Sequence, residues 1–122
     1  MREILTAVAQ TLFDKKGFNI LILDLKGIST MTDYLVIAEG TSDRHVAALG
    51  NAIEEALAKK GEHLFRSEGQ KEGDWIVLDY GDMMIHLFQS EYREKYALEE
   101  LWRKGKIVDT KIIIPTQREK HE

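Results

Sequence analysis

The chain has no cysteine in its 122 residues. That excludes a disulfide framework, a cysteine-based zinc site and thiol catalysis, and it points to a reducing compartment. Only one proline is present, so extended disorder is not expected outside the tail. No apolar run approaches the roughly 20 residues of a membrane span. Met1 leads directly into Arg2-Glu3-Ile4-Leu5, with no charged leader followed by an apolar segment. A soluble, cytoplasmic protein is expected, with no membrane partner. Positive charge is not in excess either: 17 Lys and Arg stand against 21 Asp and Glu, for a net charge of −4. This opposes broad binding to phosphate backbones, and no direct sequence-specific nucleic-acid binding is expected. Neither G-x-x-x-x-G-K-[ST] nor G-x-G-x-x-G occurs, and the four histidines show no H-E-x-x-H or other ligand spacing.

What the chain does have is a central stretch, Trp75-Ile-Val-Leu-Asp-Tyr-Gly-Asp-Met-Met-Ile-His-Leu-Phe88, in which two apolar runs flank a Gly-Asp pair. Two such runs joined by two turn-type residues read as a β-hairpin. With Gly81 and Asp82 in the loop, Tyr80 faces Met83, Leu78 faces Ile85 and Ile76 faces Leu87, all on one apolar side that should be core. The other side carries Trp75 opposite Phe88, Val77 opposite His86 and Asp79 opposite Met84. That mixture makes a poor core face and a good contact surface.

The remaining elements arrange themselves around this hairpin. Ile4, Leu5, Val8, Leu12 and Phe13 fall at helical spacing in residues 3 to 16, and Lys15-Lys16-Gly17 supplies cations and a glycine to end the helix. Asn19 to Leu25 and Asp33 to Ala38 are short aliphatic runs that read as buried strands. Gly40-Thr41-Ser42-Asp43 has the chemistry of a strand-to-helix junction. The helix it opens places Val46, Leu49, Ile53, Ala56 and Leu57 on one face and closes with Lys59-Lys60-Gly61. A third strand is expected over Glu62 to Gly69. Ser90 is suited to cap a further helix bearing Tyr92 and Tyr96 one turn apart, followed by Leu98, Leu101 and Trp102 on another helical piece. Lys106 to Ile114 is β-prone, and Pro115 to Glu122 is charged and expected to be mobile. The expectation is a single α/β domain, a mixed five-stranded sheet with helices on at least one face, spanning residues 1–104. Residues 105–122 form a partly mobile C-terminal extension.

Several residues invite a chemical reading, and each has a plainer one. Gly40-Thr41-Ser42 at a helix N-terminus suits a phosphate, but the same residues are needed merely to turn and cap. Asp79 and Asp82 flank the hairpin turn, yet a metal site usually needs more carboxylates than this pair supplies. His86 has Asp79 as its expected diagonal neighbour, which suggests a structural Asp-His contact rather than a dyad, since no Ser or Cys nucleophile accompanies it. Trp75, Phe88, Tyr92, Tyr96 and Trp102 lack the basic interleaving of a base-stacking surface and read as core and protein-contact residues. No catalytic residue, cofactor or metal is expected.

Three segments together resemble a known family: Asp33-Tyr-Leu-Val-Ile-Ala-Glu-Gly-Thr-Ser-Asp-Arg-His-Val46, the hairpin Trp75 to Phe88, and Arg93-Glu-Lys-Tyr-Ala-Leu-Glu-Glu-Leu-Trp102. They are similar, in unbroken order over roughly residues 3 to 102, to the ribosomal silencing factor (Iojap-related) family. The resemblance implies a nucleotidyltransferase-like fold without catalytic residues. It also implies a protein that binds the large ribosomal subunit through ribosomal protein number fourteen, blocks association of the subunits and represses translation. The family's contact surface maps onto Trp75, Asp79, Tyr80, Gly81, Asp82 and His86. Two departures stand out: Glu39 occupies a position that is often nonpolar or small, and some twenty residues follow Trp102 beyond the usual end.

The contrasting expectation is a metal-dependent nucleotidyl or phosphoryl transferase of the same fold. Its motive is the Gly40-Thr41-Ser42 junction, although His63-Leu-Phe-Arg-Ser-Glu68 lacks the carboxylates two apart that such enzymes carry. A weak homodimer is also expected, because an outward face with Trp75 and Phe88 prefers an apolar partner to water.

Overall fold

The computed structural model describes residues 1–30, 32–69 and 74–90, and the backbone of 106–107. Helix α1 (Arg2–Asp14) buries Leu5, Val8, Ala9 and Leu12, the i, i+3, i+4, i+7 stripe of an amphipathic helix. Strands β1 (Phe18–Asp24) and β2 (Tyr34–Gly40) follow, then helix α2 (Asp43–Lys59), which buries Val46, Leu49, Gly50, Ile53 and Leu57. Strands β3 (Arg66–Glu68), β4 (Trp75–Asp79) and β5 (Met83–Gln89) complete the five that the sequence predicts. A two-residue sixth strand, β6 (Lys106–Ile107), pairs antiparallel with the free edge of β1. The capping helix expected after Ser90 and the tail after Ile107 lie outside the described residues.

The sheet order is β3-β4-β5-β2-β1-β6. The β2–β5 pair is parallel and every other pair is antiparallel, so the sheet is mixed. A β-bulge between Phe18 and Leu21 interrupts the β1 register, and Asn19 there takes a left-handed φ of 50°. Helices α1 and α2 lie on one face. There the larger core joins α1 and α2 to Ile22, Val36, Ala38, Ile76, Leu78, Tyr80, Met83, Ile85 and Leu87. A second cluster, Leu23, Leu25, Leu35, Ile37 and Phe88, lies on the opposite face, with Leu21, Trp75 and Met84 packed against it. None of the described helices is long and apolar enough to cross a membrane.

The repeated Lys-Lys-Gly ending is realised in two registers. In α2 the N–H of Gly61 bonds to the Ala58 carbonyl and that of Glu62 to the Leu57 carbonyl, with Gly61 at φ 79°. This is a Schellman ending with glycine in the left-handed position. In α1 the same pair of bonds runs from Lys16 to Phe13 and from Gly17 to Leu12, so Lys16 takes the left-handed φ of 67°. Gly17 serves a different need from the one its position suggests. A Cβ on it would lie 3.0 Å from the Leu12 carbonyl oxygen and 3.3 Å from Leu49, so only glycine lets the end of α1 approach α2 this closely.

Candidate functional site

The hairpin register is the expected one. Trp75 pairs with Phe88, Ile76 with Leu87, Val77 with His86, Leu78 with Ile85 and Asp79 with Met84, and the Tyr80 N–H bonds to the Met83 carbonyl at 2.9 Å. The inner side, Ile76, Leu78, Tyr80, Met83, Ile85 and Leu87, is buried in the larger core.

The outer side departs from the expectation of an open contact surface. Phe88 is fully buried and His86 is 8% exposed. The reason lies in the neighbouring strands: β5 sits between β4 and β2, and its outward residues join Leu35, Ile37 and Leu23 in the second cluster. Exposure rises toward the other edge. Trp75, Val77, Asp79 and Met84 are half-buried. On β3, Arg66 pairs with Asp79 and Glu68 with Val77, so both share the outer face, with side chains 63% and 65% exposed. The open part of this face is thus its β3–β4 half. The Trp75–Phe88 pair, the basis for expecting weak self-association, is not exposed as a pair.

A ring stack crosses the boundary between the two halves. The Trp75 ring lies 5.7 Å from that of His86 and 5.6 Å from that of Phe88, with interplanar angles of 26° and 17°. Trp75 Nε1–H donates to His86 Nδ1 at 3.0 Å. An indole N–H can only donate, so Nδ1 is the acceptor and a neutral His86 carries its proton on Nε2. Burial pushes the imidazole down to about 4, because a charged ring would be stripped of water. The Asp79–His86 contact expected from the diagonal is not formed. Asp79 Oδ1 accepts from the Gly81 N–H at 2.8 Å, and Oδ2 lies 3.8 Å from Arg66 Nη2.

The six residues implied by the resemblance therefore divide. Tyr80 is core, its phenol pushed up to about 12 by burial and then by Glu54 and Glu62, and His86 is nearly buried. Trp75 and Asp79 are half-buried on the outer face, and Asp82 is exposed in the turn. Gly81 has φ 89°, a backbone conformation that favours glycine, and a Cβ there would lie 2.5 Å from Phe65 Cε2 and push the Phe65 ring aside. The Asp82 carbonyl accepts the N–H groups of Asp33 and Tyr34, tying the turn to the start of β2. Sequence reasoning missed Arg66, Glu68 and Phe65, all on or beside a strand of only three residues.

The other candidate, the Gly40-Thr41-Ser42 junction, is occupied by its own chain. Ser42 caps α2 by accepting the His45 N–H at 3.1 Å, and Asp43 accepts from the Arg44 N–H. The Thr41 N–H donates to His45 Nδ1 at 2.9 Å, and the other ring nitrogen lies 2.8 Å from the Lys15 carbonyl oxygen. His45 thus clamps the start of α2 to the end of α1. A Cβ on Gly40 would lie 3.0 Å from Val46 Cγ2 and 3.2 Å from His45 Nδ1, so this glycine makes room for the clamp.

The profile of the family described as "Ribosomal silencing factor during starvation" matches residues 1–122. A Bacillus subtilis protein named ribosomal silencing factor is 35% identical over 108 residues, 88% of this chain and 92% of its own length. The Mus musculus protein named mitochondrial assembly of ribosomal large subunit protein 1 is 42% identical over 78 residues, 58% of this chain and 32% of its own length. A Chromobacterium violaceum crystal structure superposes with a TM-score of 0.79 at 30% identity, covering 93% of each chain. On the match to the full chain and on these relatives, the chain belongs to the ribosomal silencing factor family.

Proposed function

We propose that this protein binds the large ribosomal subunit in the cytoplasm through ribosomal protein number fourteen, and that the bound domain blocks the small subunit and represses translation. It acts by steric exclusion, without catalysis or cofactor. The contact surface is the open half of the outer sheet face together with the hairpin turn. Trp75, Asp79, Gly81 and Asp82 offer the contact, while Tyr80 and His86 hold the hairpin in shape. The observation that carries this reading is the gradient across one sheet face, from fully buried Phe88 to half-buried Trp75 and Asp79 to exposed Arg66 and Glu68. A half-buried aromatic with a charged rim has the anatomy of an interface core and its border. The acidic chain suits a basic ribosomal protein better than bare RNA.

The test is to saturate purified large subunits with the protein, add small subunits and follow joining by sedimentation. Joining should fall in proportion to occupancy, and undiminished joining at saturation would sink the proposal. A metal-dependent transferase would need N–H donors at the Gly40-Thr41-Ser42 junction. Those of Thr41, Arg44, His45 and Val46 are engaged within the chain. Magnesium-dependent nucleotide binding, measured by calorimetry, separates the two readings.

A further inference from the structure

We propose that Phe65 is an apolar anchor of the partner interface, seated on the hairpin turn and matched to an apolar socket with a basic rim on the partner protein. The inference rests on the docking function proposed above and adds to it a residue outside the six that the family resemblance implies. Phe65 is 66% exposed, the most exposed large apolar side chain among the described residues. It is nevertheless held in place. Its N–H bonds to the Asp79 carbonyl at 2.9 Å, its ring and that of His63 meet in a T-shaped contact at 5.4 Å, and its Cδ2–Cε2 edge lies against Gly81. The Gly81 N–H is in turn fixed by the Asp79 carboxylate. A large ring that is ordered before binding loses little conformational freedom on contact, which is the property of an interface anchor.

Charge selects the occupant. The turn that seats the ring carries Asp79 and exposed Asp82, and the Asp82 carbonyl holds Asp33 alongside. Glu62 stands close enough to raise the Tyr80 phenol. Among the described residues two cations stand at this end and both are engaged: Arg66 lies 3.8 Å from both Asp79 and Glu68, and the Lys26 ammonium lies 4.9 Å over the Tyr34 ring. A second copy of the chain docked through the same patch would set these acids against themselves across a two-fold axis, whereas a basic surface complements them.

The experiment measures the affinity of full-length variants for purified large subunits at low and raised salt, with thermal unfolding of each as the folding control. Phe65→Ala should bind about tenfold more weakly or worse, with an unfolding midpoint close to the parent's, and the loss should persist at raised salt. Phe65→Leu should lose less and Phe65→Lys more. Asp82→Asn should lose less than Phe65→Ala, and its deficit should fade as salt screens it. If Trp75→Ala and Asp79→Ala bind weakly while the Phe65 series binds like the parent, the anchor is wrong and the docking function stands. If all of these variants bind like the parent, the docking function fails with it. A parent dimer that Phe65→Ala converts to a monomer would assign the socket to a second copy and overturn the proposal.

Discussion

The two sides of the β4–β5 hairpin are built from the same two strands and differ in fate. On the inner side Ile76, Leu78, Tyr80, Met83, Ile85 and Leu87 are all buried under α1 and α2. On the outer side burial depends on position across the sheet: complete at Phe88, partial at Trp75 and Asp79, slight at Arg66 and Glu68. Alternation decides which side a residue faces, but the neighbouring elements decide whether that side is covered. A residue on the outer side can therefore serve both folding and docking, while one on the inner side serves folding alone.

The contrast is broken most severely from the inner side. Leu78→Ala or Ile85→Ala should cost about 2 to 5 kcal/mol in denaturant unfolding, since each leaves a cavity in packed surroundings. Large-subunit binding by the fraction that remains folded should be unchanged.

Next comes acid. His86 titrates near 6.5 when unfolded and near 4 in the native hairpin. Above pH 6.5 neither state is protonated and the contribution is complete. As pH falls from 6.5 toward 4 the unfolded chain takes up a proton that the native one refuses, and about 3 kcal/mol of stability is lost. Below 4 the slope from this group vanishes. Other groups titrate in the same range, so the difference between parent and His86→Phe isolates it. Equal slopes for the two proteins would show that the ring is not buried neutral.

Trp75→Phe keeps an aromatic ring in the stack and removes the donor to His86 Nδ1. It should cost about 1 kcal/mol. Trp75→Ala removes the ring as well and should lower both stability and binding, more than an exposed anchor would. The smallest stability effect belongs to Asp79→Asn. It retains an acceptor for the Gly81 N–H and weakens a partly exposed pair with Arg66, a change of a few tenths of a kcal/mol, roughly the value of surface pairs. Its effect on partner binding should be larger and should shrink with salt.

These differences also mark what the sequence could reveal. The hairpin register was legible because a Gly-Asp turn and strict alternation leave one pairing that buries a continuous apolar side. The α1 stripe and the Ser42 cap were legible because both are local patterns. The shift at the end of α1 was not: Lys16 accepts a left-handed φ because Gly17 must approach Leu49, a contact from 32 residues further along the chain. The Asp79–His86 pair failed because two nearer groups, the Gly81 N–H and the Trp75 indole, took the two side chains first. Burial of Phe88 followed from strands β2 and β1, which hairpin alternation does not report. His45 looked unremarkable because its partners, Thr41 and the Lys15 carbonyl, are brought together only by packing of the two helices. The residues proposed for docking rest on the family resemblance, and their division into exposed and supporting groups rests on geometry.

The absence of cysteine permits a direct test of docking through the outer face. A single Glu68→Cys substitution places a thiol at its exposed β3 edge, beside Val77. Glu55→Cys places one on exposed α2, above the other face of the sheet. Each protein, labelled with a short photo-crosslinker and irradiated on purified large subunits, reports what lies within reach. Docking through the outer face requires a crosslink from position 68 to ribosomal protein number fourteen and none from position 55. A crosslink to that protein from position 55 alone would contradict it.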